Sequence, residues 1–178
     1  MEALQCITSR RTTRAFTEEV PSREMVEQLI SYASWAPSWA NSQCVRYVAV
    51  TDVALKNQMA DRMEKGSLKN SKMTRQAPVV LVLLALPDKA GRLGDHVDPR
   101  SQGWKFFDCG GAAQTLCLAA HAMGLATVQM GNFDHKAIHE LLMLPGDVEV
   151  VELIGLGYPD ANPNPPARLS VNELLQWR

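Results

Sequence analysis

Three arginines lie within five positions near the N-terminus, and together their side chains could bind an anion. The segment that contains them reads Ser9-Arg10-Arg11-Thr12-Thr13-Arg14. Guanidinium groups bind phosphate oxygens through paired hydrogen bonds, and threonine hydroxyls can donate further ones. A phosphate monoester is therefore the natural ligand. A solvated basic turn has the same composition, so the cluster alone leaves both interpretations open.

A second polar group lies where a predicted helix stops before a predicted strand. It reads Ala36-Pro37-Ser38-Trp39-Ala40-Asn41-Ser42-Gln43. The amides of Asn41 and Gln43 present paired donors and acceptors, which suit the edge of a heterocycle such as the pyrimidine ring of a flavin. The same residue types are common in capped turns, so this segment is also ambiguous by itself.

Three further candidates are weaker when each is taken alone. Arg168 follows the proline-rich residues 160–166, and an isolated cation of this kind is most often a surface residue. His135 and His139 lie four apart on a predicted helix, but the sequence offers no third ligand, which favours two surface histidines over a metal site. Cys44 lies beside the second polar group without a matched base that would activate its thiol.

The sequence lacks the usual signatures of several enzyme classes. It contains neither a Gly-x-Ser-x-Gly elbow nor a phosphate-loop motif. The pair Gly155 and Gly157 continues into Tyr158 and Pro159 rather than into a helix, so it is not a dinucleotide-binding Gly-x-Gly-x-x-Gly. The sequence therefore does not predict a Rossmann-type dinucleotide site.

Composition favours one globular domain spanning residues 1–178. Eighteen Lys and Arg against 19 Asp and Glu give a formal net charge of −1, so no global field attracts nucleic acid or an anionic membrane. The longest apolar run, residues 77–86, is too short to span a bilayer, and the N-terminus does not resemble a signal peptide. We expect a soluble, cytoplasmic protein whose four cysteines, which form no Cys-x-x-Cys pair, are reduced.

Helices and strands are predicted to intersperse along the chain, which indicates an α/β or α+β fold. Apolar periodicity and capping residues predict helices over residues 3–8, from Ser22 to before Pro37, over 53–65 after Asp52, over 104–123, after Asp134, and from Ser170. Strands are predicted over residues 45–51, 78–86, 126–130 and 148–156. The strand at 78–86 has no alternation, so we expect it to be central. Residues 66–76 and 87–102 are predicted loops, the second a mobile excursion that could act as a lid.

The predicted helix over residues 104–123 carries apolar side chains all round. Such a helix must be buried on nearly every side. A chain of 178 residues can hardly enclose it alone, so we expect a second subunit to cover part of it.

Taken in order, these pieces resemble the nitroreductase family, in its short-chain branch of small FMN enzymes. The resemblance runs over nearly the whole chain. The residues that carry it are Arg10 to Phe16, Ala36 to Ser38 with Asn41 and Gln43, Ala77-Pro78, Asp108 to Gln114, Gly124 to Thr127, Gly131, Gly155 to Pro159, and Arg168.

The resemblance implies an α+β fold with a mostly antiparallel central sheet flanked by helices. It also implies an intertwined homodimer that holds two FMN molecules at the subunit interface. By position, the phosphate ligands would be Arg10, Arg11 and Arg168, supported by Thr12, and Arg14 would reach the isoalloxazine ring. The partner subunit would supply Pro37, Ser38, Asn41 and Gln43, and the backbone near the flavin N5 would be that of Met130 and Gly131.

The activity implied is transfer of hydride from NADH or NADPH through FMN to a small electron-poor acceptor, such as a nitroaromatic or a quinone, by a ping-pong mechanism. No protein nucleophile is needed, and Arg14 would stabilise negative charge on the ring. Two alternatives share the cofactor site: a non-catalytic flavin-binding module, and a specialised flavoenzyme for dehalogenation or flavin breakdown. Two positions depart from the family pattern, since Cys44 follows Gln43 and Pro166 replaces a basic residue.

Overall fold

A four-stranded antiparallel sheet forms the centre of the protein. The computed structural model describes residues 1–63 and 67–178. Its strands are β1 (Val45–Val50), β2 (Val79–Ala85), β5 (Ala126–Met130) and β6 (Glu149–Gly157), in the order β1-β2-β6-β5. A small separate hairpin is formed by β3 (Arg92–Leu93) and β4 (His96–Val97). The predicted antiparallel α+β sheet is therefore confirmed.

Strand β2 is buried along its whole length, as its unbroken run of Val and Leu predicted. Its side chains divide between two cores because neighbours on a strand point to opposite faces. Leu81 and Leu83 pack in one core with residues of α2 and α5. Val80 and Val82 pack in the other, with Phe133.

Seven α-helices surround the sheet in the described ranges 1–63 and 67–178. They are α1 (Ala3–Ser9), α2 (Arg23–Ala33), α3 (Val53–Ala60), α4 (Leu68–Gln76), α5 (Ser101–Ala122), α6 (His135–Leu141) and α7 (Val171–Leu174). The predicted caps are confirmed at α2, α3 and α6. There the side chains of Ser22, Asp52 and Asp134 accept hydrogen bonds from backbone N–H groups of the first turn.

The prediction of a loop over residues 66–76 was wrong, because α4 occupies most of it. Its sequence is largely polar and shows little apolar periodicity, yet Met73 and Thr74 are buried against the sheet and fix the helix by tertiary packing. The helix predicted over 53–65 ends at Ala60. The ends of these two predictions, residues 64–66, lie outside the described residues.

Two further boundaries differ from prediction. The segment predicted as an irregular loop over 87–102 contains the β3–β4 hairpin, and α5 begins at Ser101, three residues early. Gly91 precedes the hairpin with a φ of 76°, and a Cβ there would lie 2.5 Å from the Cα of Ser101. Only glycine fits this approach of the hairpin to the start of α5.

Helix α5 is not buried all round within one chain. Its inner face packs on the sheet through Cys109, Ala113 and Leu116. Near its N-terminal end, Phe106 is 45% and Phe107 is 71% exposed. Two large aromatic side chains of this helix therefore face solvent in the single chain.

Of the helices in the described residues, none combines the length and the apolar character that crossing a bilayer requires.

Candidate functional site

The arginine cluster lies on an extended segment that runs beside the edge strand β5. Thr12 forms a parallel bridge with Thr127, and the Thr13 N–H donates to the Thr127 carbonyl at 3.0 Å. Further on, Phe16 pairs with Pro159. Because side chains alternate along an extended segment, the buried Thr13 is followed by an exposed Arg14. The segment thus places its arginines at successive positions along one edge of the sheet.

Arg10 and Arg11 line a cavity of about 120 Å³ between the end of α1, α5 and β5. In the described part of the chain, neither guanidinium forms an ion pair with a carboxylate. The Nε of Arg10 is buried there without a hydrogen-bond partner. A buried cationic donor left unpaired is costly, so this cavity suits an anionic ligand. A phosphate group fits this donor set.

Arg14 lies in a second cavity of about 650 Å³, which α4 closes from one side. Lys69 and Lys72 line it, and they share one face of α4 because they are three residues apart. Glu18 and Asp160 also line the cavity and partly balance this charge. Three cations around one opening favour a ligand that is negative or becomes so.

Helix α4 is held against the end of β5, where Met130 and Gly131 lie. Thr74 Oγ1 is 3.6 Å from Met130 Sδ, and the Asn70 amide donates to the Asn132 carbonyl at 3.4 Å. Met130 is only 1% exposed and packs in the core. At Gly131 a Cβ would meet no atom within 4 Å, so the backbone there is open.

The segment over residues 36–43 lies elsewhere, at a cavity of about 480 Å³ lined by Pro37, Ser38 and Gln43. Its backbone is unusual: Ala40, Asn41 and Gln43 have φ of 45°, 55° and 46°. Non-glycine residues adopt such angles only where their surroundings impose them, often at functional sites. The exposed Asn41 and Gln43 amides are available to a ligand.

Buried Asp108 of α5 imposes this conformation. Its carboxylate accepts hydrogen bonds from the Trp39 N–H at 3.0 and 3.1 Å and from the Ser42 hydroxyl at 3.0 Å. The Ser38 hydroxyl in turn accepts the Gln43 N–H at 3.0 Å. The turn is thus fixed at one end of α5.

The predicted site residues form separate groups within one chain. Asp108 and His121, which mark the turn and the arginine cavity, are 13 residues apart on α5, or about 20 Å at 1.5 Å per residue. Arg168 is exposed and donates only to the carbonyls of Pro166 and Ala167 among the described residues. The structure does not bring it to Arg10.

A model of the Nitroreductase family matches residues 7–158 of the sequence. The chain belongs to the nitroreductase family. An NADH dehydrogenase of Thermus thermophilus is 28% identical over 203 residues, which cover 100% of this chain and 97% of that protein.

Solved structures agree with this assignment of the fold. The NADPH:FMN oxidoreductase of Vibrio harveyi, solved with NAD+, superimposes with a TM-score of 0.83 at 27% identity, over 98% of this chain and 76% of its own. A protein of Exiguobacterium sibiricum, solved with FMN, superimposes with a TM-score of 0.88 at 19% identity, over 100% of this chain and 98% of its own.

The structure of this nitroreductase-family chain adds residues that sequence reasoning missed. Lys69 and Lys72 were overlooked because their segment was predicted as a loop. Asp108 was noted only as part of the family resemblance, and nothing local to it indicates a partner near residue 40. His121 gave no signal in the sequence, since the residues around it in the cavity are distant along the chain.

Other candidates have local roles. His135 Nδ1 lies 2.7 Å from the Val150 carbonyl, and His139 Nε2 lies 2.8 Å from that of Pro145. The Cys44 thiol is buried and faces Asp108 Oδ2 at 3.7 Å, so access to reagents is blocked.

Glu152 is a partly buried carboxyl group on β6 of this family member. The Gln129 amide donates to its Oε2 at 3.4 Å. Burial raises the pKa of Glu152 to about 7, because the charged form loses hydration.

Proposed function

We propose that this protein binds FMN and transfers hydride from NADH or NADPH to a small electron-poor acceptor, such as a nitroaromatic or a quinone. The observation that carries the proposal is the pair of cationic cavities along one extended segment. One is small and contains a buried unpaired Arg10 Nε, and the other is wide and contains Arg14 with two lysines. An elongated ligand with a phosphate at one end and an electron-accepting ring at the other fits this arrangement.

At the phosphate end, Arg10 and Arg11 bind phosphate oxygens, and Thr12 supports them from the same segment. Their side chains have no competing carboxylate in the described part of the chain. Arg168 lies on the exposed C-terminal segment, which makes it free to reach the phosphate in an assembled dimer. Charge-assisted hydrogen bonds of this kind are about twice as strong as neutral ones.

At the ring end, the chain supplies charge and orientation. When bound, FMN supplies the redox chemistry by accepting a hydride from the nicotinamide and passing it to the acceptor. Arg14, Lys69 and Lys72 place positive charge where the ring becomes negative on reduction, which lowers the barrier. The open backbone at Gly131, next to the buried Met130, allows the ring to approach closely.

The working unit in this proposal is a homodimer in which each FMN contacts both chains. Two chains are needed because the turn over residues 36–43 and the arginine cavity are about 20 Å apart along α5 in one chain. Two α5 helices packed antiparallel and crossing near the exposed Gln114, midway between Asp108 and His121, would bring the turn of one chain to the cavity of the other. A two-fold interface of this kind is the commonest closed assembly. Pro37, Ser38, Asn41 and Gln43 then contact the flavin bound mainly by the second copy.

Donor and acceptor use the same opening above the ring in turn. The sequence has no dinucleotide-binding motif that would hold the nicotinamide elsewhere. The oxidised nicotinamide therefore leaves before the acceptor enters, which is a ping-pong mechanism.

Flavin content and steady-state kinetics test the proposal. The purified protein should be yellow, release FMN on denaturation, and give parallel double-reciprocal plots when NADH or NADPH is varied against a quinone or a nitroaromatic. A colourless protein that rejects added FMN would exclude the proposal. Bound flavin with no turnover would favour a non-catalytic flavin-binding role.

A further inference from the structure

His121 lies in the cavity lined by Arg10 and Arg11, the arginine cavity. It is in the last turn of α5, and its Nε2 is 2.8 Å from the Ser9 Oγ. Both residues line the cavity together with Arg10 and Arg11. An imidazole beside two guanidinium groups that have no carboxylate partner among residues 1–63 and 67–178 is an unusual grouping, because three potential cations repel one another unless an anion lies between them.

We propose that His121 is a further ligand of the FMN phosphate and takes up a proton when the phosphate binds. This inference rests on the proposed function, because it requires the phosphate to occupy the arginine cavity. It adds one residue of this chain to the phosphate site and makes cofactor affinity dependent on pH.

The groups around the His121 imidazole favour its neutral form before FMN binds. Burial lowers the pKa of His121, and Arg10 and Arg11 lower it further. From α5, the other titratable group in the cavity is Cys117, whose thiol pKa is raised by burial, so it stays uncharged. The lining residues Thr127 of β5 and Asn162 after β6 carry no charge.

A bound phosphate monoester reverses this balance. Its second pKa is about 6, so near pH 7 it brings close to two negative charges into a partly buried site. The anion favours the imidazolium form and raises the pKa of His121. The end of α5 acts in the same direction, since cations are stabilised at a helix C-terminus. Binding is therefore coupled to proton uptake.

The contact with Ser9 gives the proton a further effect. In neutral His121, Nε2 can accept a hydrogen bond from the Ser9 hydroxyl. In the imidazolium form Nε2 can only donate, so the Ser9 oxygen becomes the acceptor and its O–H is released. That O–H can then donate to a phosphate oxygen. Protonation of His121 thus supplies a positive charge to the site and frees the Ser9 hydroxyl to donate to the phosphate.

The sign of the pH dependence follows. The contribution of His121 to FMN affinity should be largest below its lowered pKa in the free protein and should be lost as pH rises through its higher pKa in the bound state. If binding raises the pKa of His121 by about one unit, His121→Gln should bind FMN at most about fivefold more weakly than the wild type at pH 6.5, and about tenfold more weakly only well below the pKa of the free ring. The difference should shrink towards zero by about pH 9.

The test measures FMN dissociation from diluted holoprotein, followed by recovery of flavin fluorescence between pH 6 and 9. His139→Gln is the matched control, because His139 contacts the Pro145 carbonyl away from the cavity, and it should follow the wild type. Ser9→Ala removes the hydrogen bond to His121 but keeps the ring, so its affinity should still vary with pH. A purely structural role for His121 predicts instead that His121→Gln weakens FMN equally at every pH, which would overturn the inference.

A second measurement follows the ring directly. The proton NMR titration of His121, assigned by its loss in His121→Gln, should shift to higher pH on addition of FMN and stay in place on addition of riboflavin, which lacks the phosphate. Equal shifts with both ligands, or with neither while FMN is bound, would contradict the inference alone. Failure of the wild type to bind FMN at any pH would instead remove the proposed function.

Discussion

The carboxylate of Asp108 accepts the Trp39 backbone N–H with both of its oxygens, at 3.0 and 3.1 Å. Asp108 is only 2% exposed, and the contact joins positions 69 residues apart. It fixes a turn in which three residues have left-handed backbone angles. The conformation of the segment that offers Asn41 and Gln43 to a ligand therefore depends on one buried side chain of α5.

Replacing Asp108 should disorder this turn. Asp108→Ala leaves the Trp39 N–H without its acceptor, and we expect a loss of about 1–3 kcal/mol in the free energy of unfolding together with weaker FMN binding. Ser42→Ala removes only one of the bonds and should have a smaller effect on both. Urea denaturation and flavin titration measure the two quantities. If Asp108→Ala binds FMN like the wild type, the turn does not contribute to the flavin site.

The double variant Arg10→Ala with Arg11→Ala should release FMN while leaving the fold largely intact. Both side chains lie at the surface of a cavity rather than in a core, so their loss removes phosphate ligands without creating a large void. The checks are flavin content after gel filtration and the far-ultraviolet circular dichroism spectrum. Arg23→Ala, which breaks an exposed ion pair with Glu27, is the control and should keep its flavin. Full flavin occupancy in the double variant would refute the phosphate assignment.

Much of the scaffold was predictable because its determinants are local. Ser22, Asp52 and Asp134 mark helix starts by their own capping bonds, and the Val and Leu run of β2 requires burial on both faces. Helix α4 was missed because its polar sequence depends on the burial of Met73 against distant strands.

The candidate site was only partly predictable, for a related reason. The arginine cluster is visible because its members are neighbours in sequence. Lys72 and His121 lie beside the arginines only because α4 and α5 pack there. The spacing of residues in the sequence does not indicate this packing.

Arg14 should contribute to the rate of reduction more than to cofactor binding. Arg14→Met removes one of three cations beside the proposed ring, and we expect FMN to remain bound while its reduction by NADH or NADPH slows about tenfold, or about 1.4 kcal/mol. Arg14→Lys keeps the charge and should recover most of the rate. A rate unchanged in Arg14→Met would show that the charge near the ring comes from Lys69 and Lys72 alone.

Phe107→Glu should separate the subunits. The ring is 71% exposed on α5 in one chain, and burying a carboxylate in an apolar interface is costly. Light scattering should report a monomer for the variant and a dimer for the wild type, with loss of FMN from the monomer. Val53→Glu is the control, since Val53 is similarly exposed at the start of α3, away from α5. A Phe107→Glu protein that is dimeric and retains its full content of FMN would argue against this interface.

Glu152→Gln should stabilise the protein at alkaline pH. Burial raises the pKa of Glu152 from 4.5 to about 7 in the folded state, so folding favours the neutral carboxyl. The stability present below about pH 4.5 is lost as pH rises through about 7. The variant cannot ionise, and we expect a gain of about 1–3 kcal/mol at pH 8 and little at pH 4.5. Thermal unfolding at the two pH values measures this, with the exposed Glu19→Gln as control; equal effects of Glu152→Gln at both pH values would contradict the assigned pKa.

The central claim, that this chain passes hydride through bound FMN, is tested most directly by anaerobic stopped-flow mixing of the purified protein with NADH and with NADPH. We predict that the absorbance of oxidised flavin at about 450 nm bleaches within the turnover time with at least one donor. A quinone added after anaerobic removal of the nicotinamide should restore the absorbance. Flavin that remains oxidised with both donors would contradict the account.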